Sequence, residues 1–63
     1  RDLVRIYGVE VDEVCVYNAL EQMVKTVRDT NEISVAGLAE GVYLVRIRDT
    51  EGKVFTAKVA VKR

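Results

Sequence analysis

Hydrophobic and polar residues alternate along most of the 63-residue chain, with the period of two that is typical of β-strands with one buried face. Polar segments and glycines interrupt this alternation, which leaves six alternating segments: 2–8, 12–18, 21–27, 32–38, 41–49 and 53–63. The pattern predicts an all-β protein, a small immunoglobulin-like antiparallel β-sandwich of about six to seven short strands.

The alternation also assigns side chains to faces. Val14 and Val16 are predicted to face the core, which puts Cys15 on the opposite face. The weaker third segment puts Met23 and Val27 on one side of its strand. The last segment points four residues to one face: Phe55, Ala57, Val59 and Val61. Of these, Phe55, Val59 and Val61 are expected in the core.

One region has a helical alternative. In residues 17–29, a spacing close to 3.6 residues also describes the apolar positions Leu20, Met23, Val24 and Val27. The neighbouring segments favour a strand, and an isolated helix of this length is marginal in water. The polar segment 49–52 is predicted to be a type I turn with a bulge, in which Gly52 takes the left-handed conformation.

The net charge is zero but unevenly distributed. Residues 1–40 hold eight acidic and four basic residues, a balance of −4, and residues 41–63 hold two acidic and six basic residues, a balance of +4. The simplest interpretation is that neighbouring strands carry complementary faces. Because there is no overall basic excess, the sequence predicts no nucleic-acid partner.

Residue types that carry catalysis are scarce. The chain has no histidine and a single cysteine, which excludes an internal disulfide, a cysteine-based metal site and histidine-dependent catalysis. Asp12 and Glu13 are adjacent and point to opposite faces of a strand, and Asp49 and Glu51 flank a turn that we interpret as a solvated loop. We therefore expect no enzyme activity, no metal and no cofactor.

Cys15 allows two interpretations. Free cysteine is usually a small buried hydrophobe. The alternation favours a position opposite the core, where an exposed thiol in an oxidising compartment is able to link two copies of the chain.

The order of the segments carries a resemblance. Several short motifs follow one another: Val16-Tyr17-Asn18, Leu20-Glu21-Gln22, Ile33 with Val35, Gly37-Leu38, Gly41 with Tyr43, Val45-Arg46-Ile47, Gly52-Lys53 and Lys58 to Lys62. Together they resemble the C-terminal sorting domain of the Bacteroidetes type IX secretion system (the Por secretion system, type A), and the match runs over residues 11–63.

The resemblance implies a targeting signal and not a catalytic activity. A cargo domain N-terminal to this one in the same chain is expected to cross the periplasm, where the sorting domain meets shuttle proteins and the outer-membrane translocon. A sortase-like protease is then expected to cut the domain off as the cargo is attached to the cell surface or released.

The resemblance also suggests which residues matter. The translocon-recognition signal is expected at Lys58, Val59, Val61, Lys62 and Arg63, on a strand that can add to a partner sheet. The same lysines can instead guard an edge strand against wrong pairing. The remaining family motif, a set of turn and core positions, comprises Gly37, Leu38, Gly41, Tyr43, Val45, Arg46 and Gly52.

Two positions depart from the family pattern. Glu21 stands where the family usually has glycine, at a turn that we expect to need a left-handed backbone, and Ala39 stands where the family often has proline. We take residues 1–63 as a single sorting domain from the C-terminal part of a larger protein. The family usually has one more strand upstream, so we expect that this first strand is missing and that two copies can pair or swap edges.

A second function stays open from the sequence. An immunoglobulin-like module that remains attached to a surface protein, with a structural or adhesive role, fits the same alternation. Tyr7 and Tyr17 are its candidate binding residues.

Overall fold

The computed structural model describes residues 3–62, and within this range it contains β-strands and no helix. The six strands are β1 (Leu3–Arg5), β2 (Val11–Tyr17), β3 (Met23–Arg28), β4 (Glu32–Ser34), β5 (Gly41–Asp49) and β6 (Val54–Val61). The prediction of an all-β fold with about six short strands is confirmed.

The strands form two antiparallel sheets. β1 pairs with β4, and the other four strands form a sheet in the order β3-β2-β5-β6. Ile33 of β4 lies in one apolar cluster with Val14, Val16 and Val45 of the larger sheet. We call the side of the four-stranded sheet that carries these residues the core face and the opposite side the outer face. The two sheets together make an immunoglobulin-like sandwich.

The core follows the alternation of β2 and β5. Every second residue of β5 points between the sheets, as do Val14 and Val16 of β2, so that the four-stranded sheet buries mainly valine and isoleucine. In β2 a bulge at Asp12 breaks the alternation and returns Val11 to the core face. The buried apolar residues are Val11, Val14, Val16, Ile33, Tyr43, Val45, Ile47 and Val61. β1 adds only half-buried contacts, through Val4, and Ile6 packs against the cluster just after it.

Asn31 ties the segment after β1 to the loop between β3 and β4. Its side-chain amide donates hydrogen bonds to the backbone carbonyls of Ile6 and Val9, each at 2.9 Å. The backbone carbonyl of Asn31 accepts a hydrogen bond from the Ile6 N–H at 2.8 Å. These bonds satisfy backbone groups that no strand pairing reaches.

The β2–β3 connection excludes the helical alternative, because residues 18–22 form a tight turn. The side-chain Oδ1 of Asn18 accepts the N–H groups of Leu20 and Gln22 at 2.9 and 3.0 Å, and the Asn18 N–H donates to the Gln22 carbonyl at 2.9 Å. Asparagine favours such a turn because its short side chain substitutes for a backbone acceptor. Glu21 has a φ of 64°, so the expected left-handed backbone at this position is confirmed.

The β5–β6 connection, residues 49–53, repeats this geometry. Asp49 Oδ1 accepts the N–H groups of Glu51 and Lys53 at 2.9 and 2.8 Å, and the Asp49 N–H donates to the Lys53 carbonyl at 2.9 Å. Gly52 has a φ of 88°, as the sequence predicted. Asp49 itself is buried, so the interpretation of this acid as part of a solvated loop is wrong.

A bulge in β3 overturns one face assignment. Lys25 lies opposite Val16, but the next pair joins Tyr17 to Met23, which leaves Val24 as an extra residue. Met23 therefore lies on the outer face, whereas Val27 lies opposite Val14 on the core face. The expectation that Met23 and Val27 share one side is wrong, since a single inserted residue reverses the alternation.

Candidate recognition surface

The last strand, β6, lies at an edge of the four-stranded sheet. It pairs with β5 over eight consecutive residues without a bulge, from Val61 opposite Gly41 to Val54 opposite Arg48. β-branched residues are frequent in it, which favours an extended backbone. Its other side pairs with no strand among residues 3–62, so a straight row of backbone donors and acceptors is open there.

The predicted recognition residues divide between the two faces of β6. Lys58 is exposed on the outer face opposite Leu44. Val59 is half-buried and Val61 is buried, both on the core face. Lys62 is exposed directly after the strand, and Arg63 lies outside the described residues.

Phe55 is not a core residue. It points to the core face opposite Ile47, yet 42% of its surface is exposed, and Ala57 on the same face is exposed as well. The reason is the width of the two sheets, because β1 and β4 are too few to cover all four strands of the larger sheet. The core face of β6 is therefore closed only at its C-terminal end, by Val59 and Val61.

The outer face carries a compact group of ion pairs at the N-terminal end of β2. Arg48 contacts Asp12 at 2.9 Å and Glu13 at 3.3 Å, and Arg28 contacts Glu13 at 3.1 Å. The expectation that Asp12 and Glu13 point to opposite faces is therefore wrong, because Asp12 is an extra residue in the pairing of β2 with β5. The hydrogen bond from Arg48 to Asp12, with the nearby charge of Glu13, raises the pKa of Arg48 above its ordinary value. Arg48 belongs to the basic C-terminal part and its partners to the acidic part, which agrees with complementary neighbouring strands.

Two cations of this face stand apart from that group. Arg46 and Lys58 form no ion pair with any residue in the range 3–62. Exposed apolar side chains of β5 lie beside them on the outer face, among them Val42 and Leu44, which are 57% and 40% exposed. Among residues 3–62, the ion pairs of the outer face thus lie in one half of that face, and a separate pair, Arg5 with Glu32 at 3.0 Å, lies in the two-stranded sheet.

The opposite edge of the sheet, β3, is built differently. Its pairing with β2 is interrupted by the bulge at Val24, and Lys25 lies opposite the buried Val16, on the core face. A bulge and an inward-facing lysine both hinder the addition of another strand. No sequence motif singled out Lys25. Sequence reasoning could have noticed it only by pairing the two strands, because Lys25 then lies opposite the apolar Val16.

Cys15 lies on the outer face and is half-buried, between its neighbours Thr26 and Arg46. The Thr26 hydroxyl lies 3.9 Å from its sulfur. Cys15 also lines a shallow depression of about 290 Å³, together with Glu13, Tyr17, Arg46, Arg48 and Val54. The position of Cys15 opposite the core agrees with the alternation. Its side chain is neither fully buried nor fully exposed, so its burial lies between the two interpretations made from the sequence.

Most residues of the family motif serve the fold. The Tyr43 hydroxyl donates a 2.6 Å hydrogen bond to the carbonyl of Ala39 and so closes the loop before β5. Because the acceptor is a backbone oxygen, the residue type at position 39 is not critical for this bond. Gly37 has a φ of 89°, a conformation that favours glycine. Leu38 packs against the core, and Arg46 alone among the motif's side chains carries a charge to the outer face.

Residues 3–62 contain no group of three acidic, cysteine or histidine side chains arranged to hold a metal ion. Within that range there is also no helix of the length and hydrophobicity that crossing a membrane requires.

Comparison with known proteins gives one result. The sequence model of a family described as "Secretion system C-terminal sorting domain" matches residues 3–62, nearly the whole chain. No curated protein and no solved structure gives a significant match. The chain therefore belongs to the family of type IX secretion C-terminal sorting domains.

Proposed function

We propose that this domain is the cleavable sorting signal of an exported cargo protein. Membership of the sorting-domain family supports a C-terminal signal for export through the outer membrane, to the cell surface or the medium. In our proposal the cargo domain precedes it in the same chain and crosses the periplasm before export. The domain performs no catalysis, and a sortase-like protease cuts it off on the outside.

The observation that carries this proposal beyond family membership is the open edge of β6. A domain that is read by shuttle proteins and by the translocon needs a surface that it does not use for its own fold. The β6 edge is such a surface, with a regular backbone and the exposed Lys58 and Lys62 beside it. We assign recognition to Lys58, Val59, Val61, Lys62 and Arg63.

These five residues contribute in different ways. The lysines present charge, whereas Val59 and Val61 anchor the strand to the core and so hold the lysines in place. Removing Val61 therefore affects folding as well as recognition. An informative test has to separate these two effects.

The main experiment follows the parent cargo protein in its own bacterium. Deletion of residues 58–63 is expected to leave the cargo in the periplasm, as measured by immunoblotting of periplasmic, surface and medium fractions. Normal surface delivery of this variant overturns the proposal.

A milder variant separates recognition from folding. Lys58→Ala with Lys62→Ala removes two exposed charges and no core contact, and surface delivery is expected to fall several-fold. The matched control is Lys53→Ala, an exposed lysine in the β5–β6 turn whose backbone alone makes the turn's hydrogen bonds. Delivery of the control is expected to stay normal.

A retained adhesive or structural module is the second candidate. The observation that favours it is Tyr7, which is 80% exposed, since tyrosine is frequent in binding surfaces. Mass spectrometry of the surface-bound parent distinguishes the two functions. Loss of residues 1–63 supports the sorting signal, and an intact C-terminus supports the module.

A further inference from the structure

The two edges of the four-stranded sheet differ in whether they admit another strand. β3 is interrupted by the bulge at Val24 and carries Lys25 on its core face. β6 has neither feature, because its pairing is regular and its core-facing residues are all apolar. A sheet protected at one edge and open at the other is arranged to accept a strand at the open edge.

The core face of β6 indicates what the added strand has to supply. Phe55 is 42% exposed, Ala57 is exposed and Val59 is half-buried, because the two-stranded sheet does not reach them. A strand added beside β6 continues the core face, and every second residue of it points to the same side as these three. Apolar residues at those positions cover the exposed part of Phe55 and Ala57.

The outer face indicates the charge of the occupant. Lys58 points to this face and has no ion-pair partner within residues 3–62, and the same holds for Arg46 on the neighbouring strand. β6 contains no acidic residue at all. A second copy of β6 brings a cationic strand to a cationic strand, so charge complementarity favours a different partner that carries a carboxylate.

We propose that β6 accepts an extended segment of an export partner as a fifth strand, and that this segment alternates apolar residues with polar ones and places an Asp or Glu beside Lys58. The inference rests on the proposed function, since it describes the partner that recognises the sorting signal. The partner supplies main-chain hydrogen bonds to the open edge and apolar side chains to the uncovered core face.

A designed peptide tests the site on the 63-residue chain. The probe is a fluorescent peptide of eight residues, the length of β6, in which valine alternates with threonine and one central threonine is replaced by aspartate. A second peptide carries lysine in place of the aspartate. The chain is expected to bind the aspartate peptide roughly two- to fivefold more tightly, as measured by fluorescence anisotropy at low salt. Amide hydrogen exchange is expected to slow in β6 and to stay unchanged in β3.

Two substitutions of alanine by lysine in the same strand form a matched pair. Ala57→Lys places a lysine on the core face of β6, in imitation of Lys25 on β3, and is expected to weaken peptide binding by at least about tenfold. Ala60→Lys places the same side chain on the outer face, opposite the exposed Val42, and is expected to retain binding. Both alanines are exposed, and circular dichroism verifies that each variant is folded.

A charge reversal gives a readout that does not depend on the Ala57 variant. Lys58→Glu is expected to reverse the preference, so that the lysine peptide binds more tightly than the aspartate peptide. Equal binding of both peptides to the native chain, or protection of β3 rather than β6, overturns the proposal. Concentration-dependent dimerisation through β6, with no binding of either peptide, also overturns it and identifies a second copy as the occupant.

The same pair of variants in the parent cargo separates this inference from the proposed function. Retention of Ala57→Lys in the periplasm, with normal delivery of Ala60→Lys, supports strand addition. If the deletion of residues 58–63 blocks export but Ala57→Lys is delivered normally, the sorting function stands and strand addition at β6 is wrong. If the deletion is delivered normally, the sorting function itself is wrong.

Discussion

The 18–22 turn and the 49–53 turn share one pattern of hydrogen bonds to the backbone but differ in their residues. The 18–22 turn has one further bond, which the Asn18 side-chain amide donates to Gln22 Oε1 at 3.0 Å. In each, the first side chain accepts two backbone N–H groups, its backbone pairs with the fifth residue, and the fourth residue is left-handed. The first residue is Asn18 in one turn and Asp49 in the other, and the fourth is Glu21 in one and Gly52 in the other.

The two turns hold one backbone shape with unequal stability. The 49–53 turn has a buried carboxylate acceptor and a glycine, so its hydrogen bonds are strong and its left-handed residue is unstrained. The 18–22 turn has a half-buried amide acceptor and a glutamate at φ 64°. It forms because Asn18 fixes the loop from both ends, despite the strain at Glu21. The turn that leads into β6 is thus the better stabilised of the two.

The largest effect is expected from Asp49→Ala. It removes a buried carboxylate that accepts two backbone N–H groups, and the loss of these charge-assisted hydrogen bonds costs about 2–3 kcal/mol of the free energy of unfolding. From a net stability of roughly 3–5 kcal/mol this leaves about 0–3 kcal/mol, so that up to about half of the molecules are unfolded at 25 °C. Urea unfolding followed by circular dichroism measures the loss.

Two further variants connect this prediction to the other turn. Asn18→Ala is expected to cost only about 1 kcal/mol, since water reaches the freed N–H groups at this exposed turn. Asp49→Asn keeps the acceptor oxygen and is expected to fall between native protein and Asp49→Ala. Equal losses at the two turns contradict the role of burial.

The second largest effect is expected from Gly52→Glu, which gives the 49–53 turn the residue of its counterpart. No atom lies within 4 Å of a side-chain carbon added at Gly52, so the change acts only through its φ of 88°. Forcing a side chain into the left-handed region costs about 1–2 kcal/mol, or about 4–16 °C in Tm for a domain of this size. Differential scanning calorimetry measures the shift, and an unchanged Tm shows that the turn adapts.

The sequence predicted these turns to different degrees. Gly52 before the last strand indicated a left-handed residue directly, because glycine is the usual choice there. At Glu21 the residue itself gives no such signal, and the expectation came from the glycine that the family has at this position. Asp49 was misjudged, although an aspartate that opens a turn often accepts the N–H two residues on.

Prediction of the β-sheet faces succeeded where pairing is regular and failed at the edges. The core residues of β5, and Val14 and Val16 of β2, follow from alternation, whereas a bulge at Asp12 places Val11 on the core face out of phase with them. Alternation reports the face on which Phe55 lies but not whether the other sheet extends far enough to cover it. It likewise gives no warning of the bulge at Val24, which depends on how the turn before β3 closes.

Local sequence also left the recognition surface incomplete. Lys58 and Lys62 were found from the resemblance, but the open edge beside them depends on strand order, which a single sequence does not reveal. Lys25 is identified as a lysine that hinders strand addition only once its position opposite Val16 is known.

The smallest effect, and the most direct test of the comparison, is expected from Glu21→Gly. The substitution releases the strain of a left-handed glutamate, about 1–2 kcal/mol, and loses about 0.4–1 kcal/mol because glycine gains freedom in the unfolded chain. The net expectation is a stabilisation of about 0.5–1 kcal/mol, seen as a higher urea midpoint with an unchanged m-value. The matched control, Leu20→Gly, sits one residue earlier in the same turn, where φ is not positive, and is expected to destabilise. If both glycines lower the midpoint, Glu21 carries no net strain, and its left-handed backbone does not contribute to the difference between the two turns.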